Sequence, residues 1–127
     1  MARFVENVVM NKIELISVPV TDQQKAKDFY VNVLGFSILM EGPFGNNQMW
    51  IQLGLPGTET SIALVNWFEK MTPGCLQGLI IETADIELER QRLLAKGVTV
   101  GDIRVEPWGK FLQLEDGDGN QWSFHQK

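Results

Sequence analysis

One order of elements is written twice in this chain. Ile16–Asp22 (ISVPVTD) can be laid over Leu79–Asp85 (LIIETAD), so that Asp85 follows Asp22 by 63 residues. Each Asp stands before a helix-like stretch, and the two stretches end at Gly35 and Gly97. Further on, Trp50–Leu53 (WIQL) lies over Phe111–Leu114 (FLQL), each followed by a glycine-containing turn and one last strand. A single strand–helix–three-strand unit has a sheet face that it cannot bury alone, so a doubled unit must pack one copy with the other. The expected fold class is therefore α+β. Two tandem βαβββ modules, about 12–70 and 76–127, form a curved mixed sheet with a concave pocket and the helices outside, in one domain spanning 12–127.

The local patterns support this order. Residues 13–20 are rich in β-branched and apolar side chains and read as a strand. Asp22 is a helix N-cap, and Ala26, Phe29, Tyr30, Val33 and Leu34 fall on one apolar stripe at helical spacing. Gly35 suits a left-handed helix end. Strands are expected over 36–40, 49–53 and 61–67, with 41–47 (EGPFGNN) as a loop. In the second half, strands are expected over 79–83, 98–100, 110–115 and 121–125. Asp85 caps the second helix, and Asp116–Asn120 (DGDGN) forms a tight turn.

Composition narrows the function. A net charge of −5 disfavours nucleic-acid phosphates and anionic membrane surfaces as partners, and no stretch approaches a membrane span. A small organic molecule is the expected partner. Cys75 is the one cysteine, so no internal disulfide forms and a structural thiol in a reducing compartment is expected. Residues 1–11 read as an N-terminal extension without the features of a signal peptide, and the expected location is cytoplasmic.

Two segments resemble known signatures. Val18–Phe36 (VPVTDQQKAKDFYVNVLGF) and Leu114–Phe124 (LEDGDGNQWSF) are similar to the opening and closing motifs of the vicinal-oxygen-chelate superfamily, the glyoxalase, bleomycin-resistance and dioxygenase-like proteins. Gly117 stands where the closing motif commonly has proline. The resemblance covers 12–126 and implies the paired βαβββ fold, frequent homodimerisation, and activities from isomerisation and dioxygenation to plain drug sequestration. Metal-dependent members carry His, Glu or Gln ligands on four inward strands, because their chemistry needs a divalent cation that holds two neighbouring substrate oxygens. Carried onto this sequence, those positions fall on Leu15, at or near Ala63, near Gly78, and on Ser123. None is a usual ligand, so the expectation is no metal and no cofactor, with Gln77 the one weak donor among their neighbours.

The expected ligand-binding residues are Ser17, Trp50, Gln52, Trp108, Gln113, Ser123 and His125. Gln52 and Gln113 occupy matching repeat positions in mid-strand, where polar residues face either a ligand or solvent. Trp50 shares a strand face with Gln52, and Trp108 lies in a loop near the pocket rim; both offer stacking surface. Trp122 alternates with Ser123 and is expected beneath a helix. His125, the one histidine, shares the Ser123 face as ligand, base or frayed terminus. No catalytic residue is assigned. Three functions stay open: a metal-independent small-molecule binder; a metal-dependent lyase, isomerase or dioxygenase with displaced ligands; and a homodimeric interaction module without catalysis.

Overall fold

The computed structural model describes residues 7–127; of the expected N-terminal extension, residues 1–6 lie outside the described residues. The first module consists of β1 (Leu15–Pro19), α1 (Gln23–Asp28), β2 (Ser37–Phe44), β3 (Gln48–Gly54) and β4 (Ser61–Val65). The second consists of β5 (Leu79–Glu82), α2 (Ile86–Ala95), β6 (Arg104–Glu106), β7 (Gly109–Glu115) and β8 (Gln121–Gln126). Each module is a four-stranded mixed sheet, ordered β1-β4-β3-β2 and β5-β8-β7-β6. In each, the strand before the helix runs parallel to the last strand, and the other pairs are antiparallel.

The caps form as the repeat implies. Asp22 accepts from the Lys25 backbone N–H at 3.1 Å and Asp85 from that of Leu88 at 3.0 Å. Gly35 and Gly97 close the two helical segments at φ +89° and +80°. The register repeats as well: Gln52 pairs with Ala63, and Gln113 pairs with Ser123.

Three expectations are corrected. The first helical segment is not uniform, because α1 gives way to a π-helical turn over Phe29–Val33, with the Leu34 N–H bonded to the Phe29 carbonyl. An i→i+5 turn rotates the stripe, so Tyr30 buries completely while Phe29 and Val33 stay partly exposed. Residues 41–44 continue β2 rather than looping. Pro43 is tolerated because β2 is an edge strand and no sheet partner needs its missing N–H. The expected strand over 98–100 is absent; β6 lies at Arg104–Glu106, and the Gly101 N–H bonds the Gln113 carbonyl of β7.

Strand alternation gives each sheet a helix-covered face. Val18, Ile51, Leu53, Ile62 and Leu64 of the first sheet share one buried core with Leu112, Leu114, Trp122 and Phe124 of the second, together with Tyr30, Ile86 and Leu93 from the helical segments. The two modules are therefore joined through their helix-covered faces, and Trp122 packs as its alternation with Ser123 implies. Arg92 of α2 and Lys96 just after it add hydrogen bonds to the carbonyls of Val33 and Asn32, at 2.6 Å each. Strands β1 and β5 are sheet edges.

Candidate functional site

The faces turned away from the helices carry the polar and aromatic side chains singled out above. On the first sheet, Ser17, Ala63, Gln52 and Met40 form one row across β1, β4, β3 and β2. On the second, Ile80, Ser123 and Gln113 form the matching row across β5, β8 and β7. The structure thus puts Ser17, Trp50 and Gln52 on one sheet and Gln113, Ser123 and His125 on the other.

Gln52 is held on both sides of its amide. Its Oε1 accepts from the Trp50 indole N–H at 3.1 Å, and its Nε2 donates to Ser61 Oγ at 2.8 Å. Ser61 Oγ in turn donates to the Glu14 carbonyl at 3.2 Å. Side chains two apart on a strand share a face, which is why this relay forms. Its effect is to fix the plane of the Trp50 indole.

Trp50 belongs to an aromatic group that the sequence only half disclosed. Phe44, near the end of β2, stands edge-on to Trp50 at a centroid distance of 5.7 Å and to Trp67 at 4.9 Å. Trp67, from the segment after β4, lies 6.3 Å from Trp50 with the planes 30° apart, and Phe68 flanks it at 5.9 Å. Beside this group is a cavity of about 330 Å³, lined by Met40, Glu41, Gly42, Pro43, Phe44 and Trp50. Hydrogen bonds from Lys27 and then Gln24 hold the Glu41 carboxyl below its usual range.

On the second sheet, His125 stacks on Phe111 at 4.5 Å with the rings 8° from parallel, and its Nε2 lies 3.2 Å from the Trp108 carbonyl. Trp108 sits at the β6–β7 turn and is 65% exposed. Gly109 makes this possible: at φ +139° it lies so close to β8 that an added Cβ would stand 2.5 Å from the Gln126 carbonyl oxygen and 2.6 Å from His125 Nε2. In register, Glu82 is the neighbour of His125, but its carboxylate pairs with the Lys127 ammonium at 3.3 Å. Gln113 is exposed and lines a separate cavity of about 510 Å³ with Glu115 and Gln121. A third cavity, about 470 Å³, lies between the modules, floored by Phe36 and Trp122 and edged by Ile16 and Ile80.

The donor set does not fit a divalent cation. Leu15 and Ala63 lie on the same face as Gln52, and Gly78 directly precedes β5. These three bring no donor side chain, and Ser123 brings one neutral hydroxyl where such cations take several carboxylate or imidazole ligands. Among the described residues, no three His, Cys, Asp or Glu side chains come together in a metal-binding arrangement. Among the same residues, no helix is long and apolar enough to cross a membrane.

Comparison with known proteins agrees with the fold. The family described as Glyoxalase/Bleomycin resistance protein/Dioxygenase superfamily matches residues 12–124. YetH of Bacillus subtilis (strain 168) is 33% identical over 116 residues, covering 88% of this chain and 95% of that protein. Of the solved structures, TnmS3, an antibiotic binding protein from Streptomyces sp. CB03234, superposes with a TM-score of 0.90 at 41% identity, over 94% of this chain and 98% of its own. A glyoxalase/bleomycin resistance protein from the same Streptomyces sp. CB03234 is 44% identical with a TM-score of 0.81, over 88% of this chain and 97% of its own.

Proposed function

Because the chain belongs to the glyoxalase/bleomycin resistance protein/dioxygenase superfamily, we propose that it binds a small organic molecule of antibiotic size without a metal ion, and sequesters rather than converts it. The observation that carries this reading is the residues at the four matched positions: Leu15, Ala63, Gly78 and Ser123 offer no cage for a divalent cation. What they leave is an apolar and aromatic surface with a few amide and hydroxyl groups, the usual lining of an organic-ligand site. The antibiotic-binding relative TnmS3, at 41% identity, supports the same class of ligand here.

The protein works as a homodimer in this reading. The edge strands β1 and β5 carry the exposed Ile16 and Ile80, and pairing β1 of one copy with β5 of another removes four free edges. That pairing sets Ser17 and Gln52 of one copy opposite Gln113, Ser123 and His125 of the other, with Trp108 at the rim. The single cysteine, Cys75, is exposed and free, which suits a cytoplasmic setting.

The test is binding of an antibiotic panel to chelator-treated protein, followed by tryptophan emission and native mass spectrometry. Stoichiometric binding, with the ligand recovered intact, is the expected result. A strict requirement for added divalent metal, or turnover of the ligand, overturns the reading.

A further inference from the structure

We propose that the ligand is a planar polycyclic aromatic, neutral or cationic, and that it lodges in the slot over Gly42, flat against the outer face of Trp50 and between Met40 and Phe44. This rests on the reading of the protein as an organic-ligand binder. Three observations point to it. First, Met40, Gly42 and Phe44 lie opposite Gln52, Trp50 and Gln48 in the β2–β3 register, so their side chains share the open face, with Gly42 directly across from Trp50. Second, a Cβ built on Gly42 meets nothing within 4 Å, so the missing side chain leaves open space beside the indole. The resulting cavity, about 330 Å³, is at the lower end of small-molecule sites and suits a ligand of few fused rings. Third, the indole is fixed before any ligand arrives: Gln52 holds its N–H, and Phe44 and Trp67 support it in edge-on and stacked contact.

A wall that is already immobilised saves the ordering cost of binding and favours a rigid flat partner over a flexible one. The charge preference follows from the surroundings. The residues that line the slot include Glu41 and no lysine or arginine, and Glu41 itself engages the Lys27 ammonium at 2.9 Å. The net charge of −5 and the electron-rich indole face both repel anions and attract cations. Gln52 is here a positioning residue, acting on the ligand through Trp50.

The experiment uses the full chain and two dyes of similar shape, proflavine as a planar cation and anthracene-2-sulfonate as a planar anion, with binding followed by dye fluorescence anisotropy. Proflavine is expected to bind with micromolar affinity, and the sulfonate about tenfold or more weakly. Trp50→Ala removes the stacking wall. Gly42→Leu fills the slot while leaving every aromatic ring in place, and its edge-strand backbone needs no positive φ. Each variant is expected to weaken proflavine by about tenfold, while melting temperature and circular dichroism show that the fold is kept. Undiminished proflavine binding in folded Gly42→Leu overturns the slot while leaving the organic-ligand reading intact. So does a Gly42→Leu variant that changes only the dimerisation constant. Preference for the sulfonate overturns the ligand class, and no dye binding up to about 100 µM overturns the proposal as a whole.

Discussion

The Tyr30 hydroxyl donates to Asp116 Oδ2 at 2.6 Å, across 86 residues of chain. The same hydroxyl accepts from the Trp122 indole N–H at 2.9 Å. Asp116 Oδ1 meanwhile takes the backbone N–H groups of Asp118 and Asn120, and Asn120 Nδ2 bonds both Asp116 Oδ2 and the Pro19 carbonyl. The turn that closes the second module is thereby tied to the first helix and first strand of the other.

Tyr30→Phe keeps the ring and removes the tie. The buried Trp122 N–H loses its acceptor, and Asp116 loses its shortest donor. A loss of about 1–3 kcal/mol is expected, because an orphaned buried polar group costs its desolvation in full. Urea unfolding measures it, with an unchanged m-value. A loss below about 0.5 kcal/mol, the scale of an ordinary surface substitution, contradicts the role given to this network.

The network also sets the alkaline limit. Burial, and then the nearby Asp116 charge, push the Tyr30 phenol far above its ordinary value. A folded-state value raised above the unfolded one means stability that is complete below the unfolded value, about 10, and lost as pH rises past it. Above that point stability falls by about 1.4 kcal/mol per pH unit from this group. Tyr30 is the one tyrosine in the chain, so phenolate absorbance near the ultraviolet edge reports it alone. The expected titration is silent until unfolding and then abrupt; a smooth ionisation near pH 10 in folded protein contradicts it.

Gln52→Leu preserves volume but leaves the Trp50 N–H without its acceptor and Ser61 Oγ without its Nε2 donor. About 1 kcal/mol of stability is expected to go. Greater tryptophan mobility in time-resolved anisotropy is the specific sign. Unchanged anisotropy places Gln52 outside the support of the indole.

Gly109→Ala forces a Cβ into the space occupied by the Gln126 carbonyl and His125, at a φ of +139° that L side chains rarely adopt. Strain of about 1–3 kcal/mol is expected, read as a lowered melting temperature, with the His125–Phe111 stack displaced in the ring-proton resonances of His125. A melting temperature equal to that of the parent contradicts the close approach described for the β6–β7 turn.

The doubled order of elements was legible because repetition supplies its own register. The repeat that matched Gln52 with Gln113 reappears as the Gln52–Ala63 and Gln113–Ser123 pairs. Other features are invisible to pattern alone. A π-helical turn uses the same apolar residues as an α-helix, so nothing in Phe29–Val33 reveals that Tyr30 will reach Asp116. Proline and glycine in EGPFGNN signal a loop, yet an edge strand tolerates both, and this hid Phe44 as the partner of Trp50 and Trp67. Alternation back from Gln48 across the turn was the signal that places Phe44 on the Trp50 face. The stacking of His125 on Phe111 depends on the register of β7 against β8 and on the absence of a side chain at Gly109.

The measurement that bears most directly on the account is a calorimetric titration of metal-free protein with Ni²⁺, Zn²⁺, Mn²⁺ and Fe²⁺. Leu15, Ala63, Gly78 and Ser123 at the four matched positions predict no saturable heat with any of them. Stoichiometric binding with sub-micromolar affinity contradicts the account and assigns the protein to metal-dependent chemistry through ligands elsewhere on the open faces.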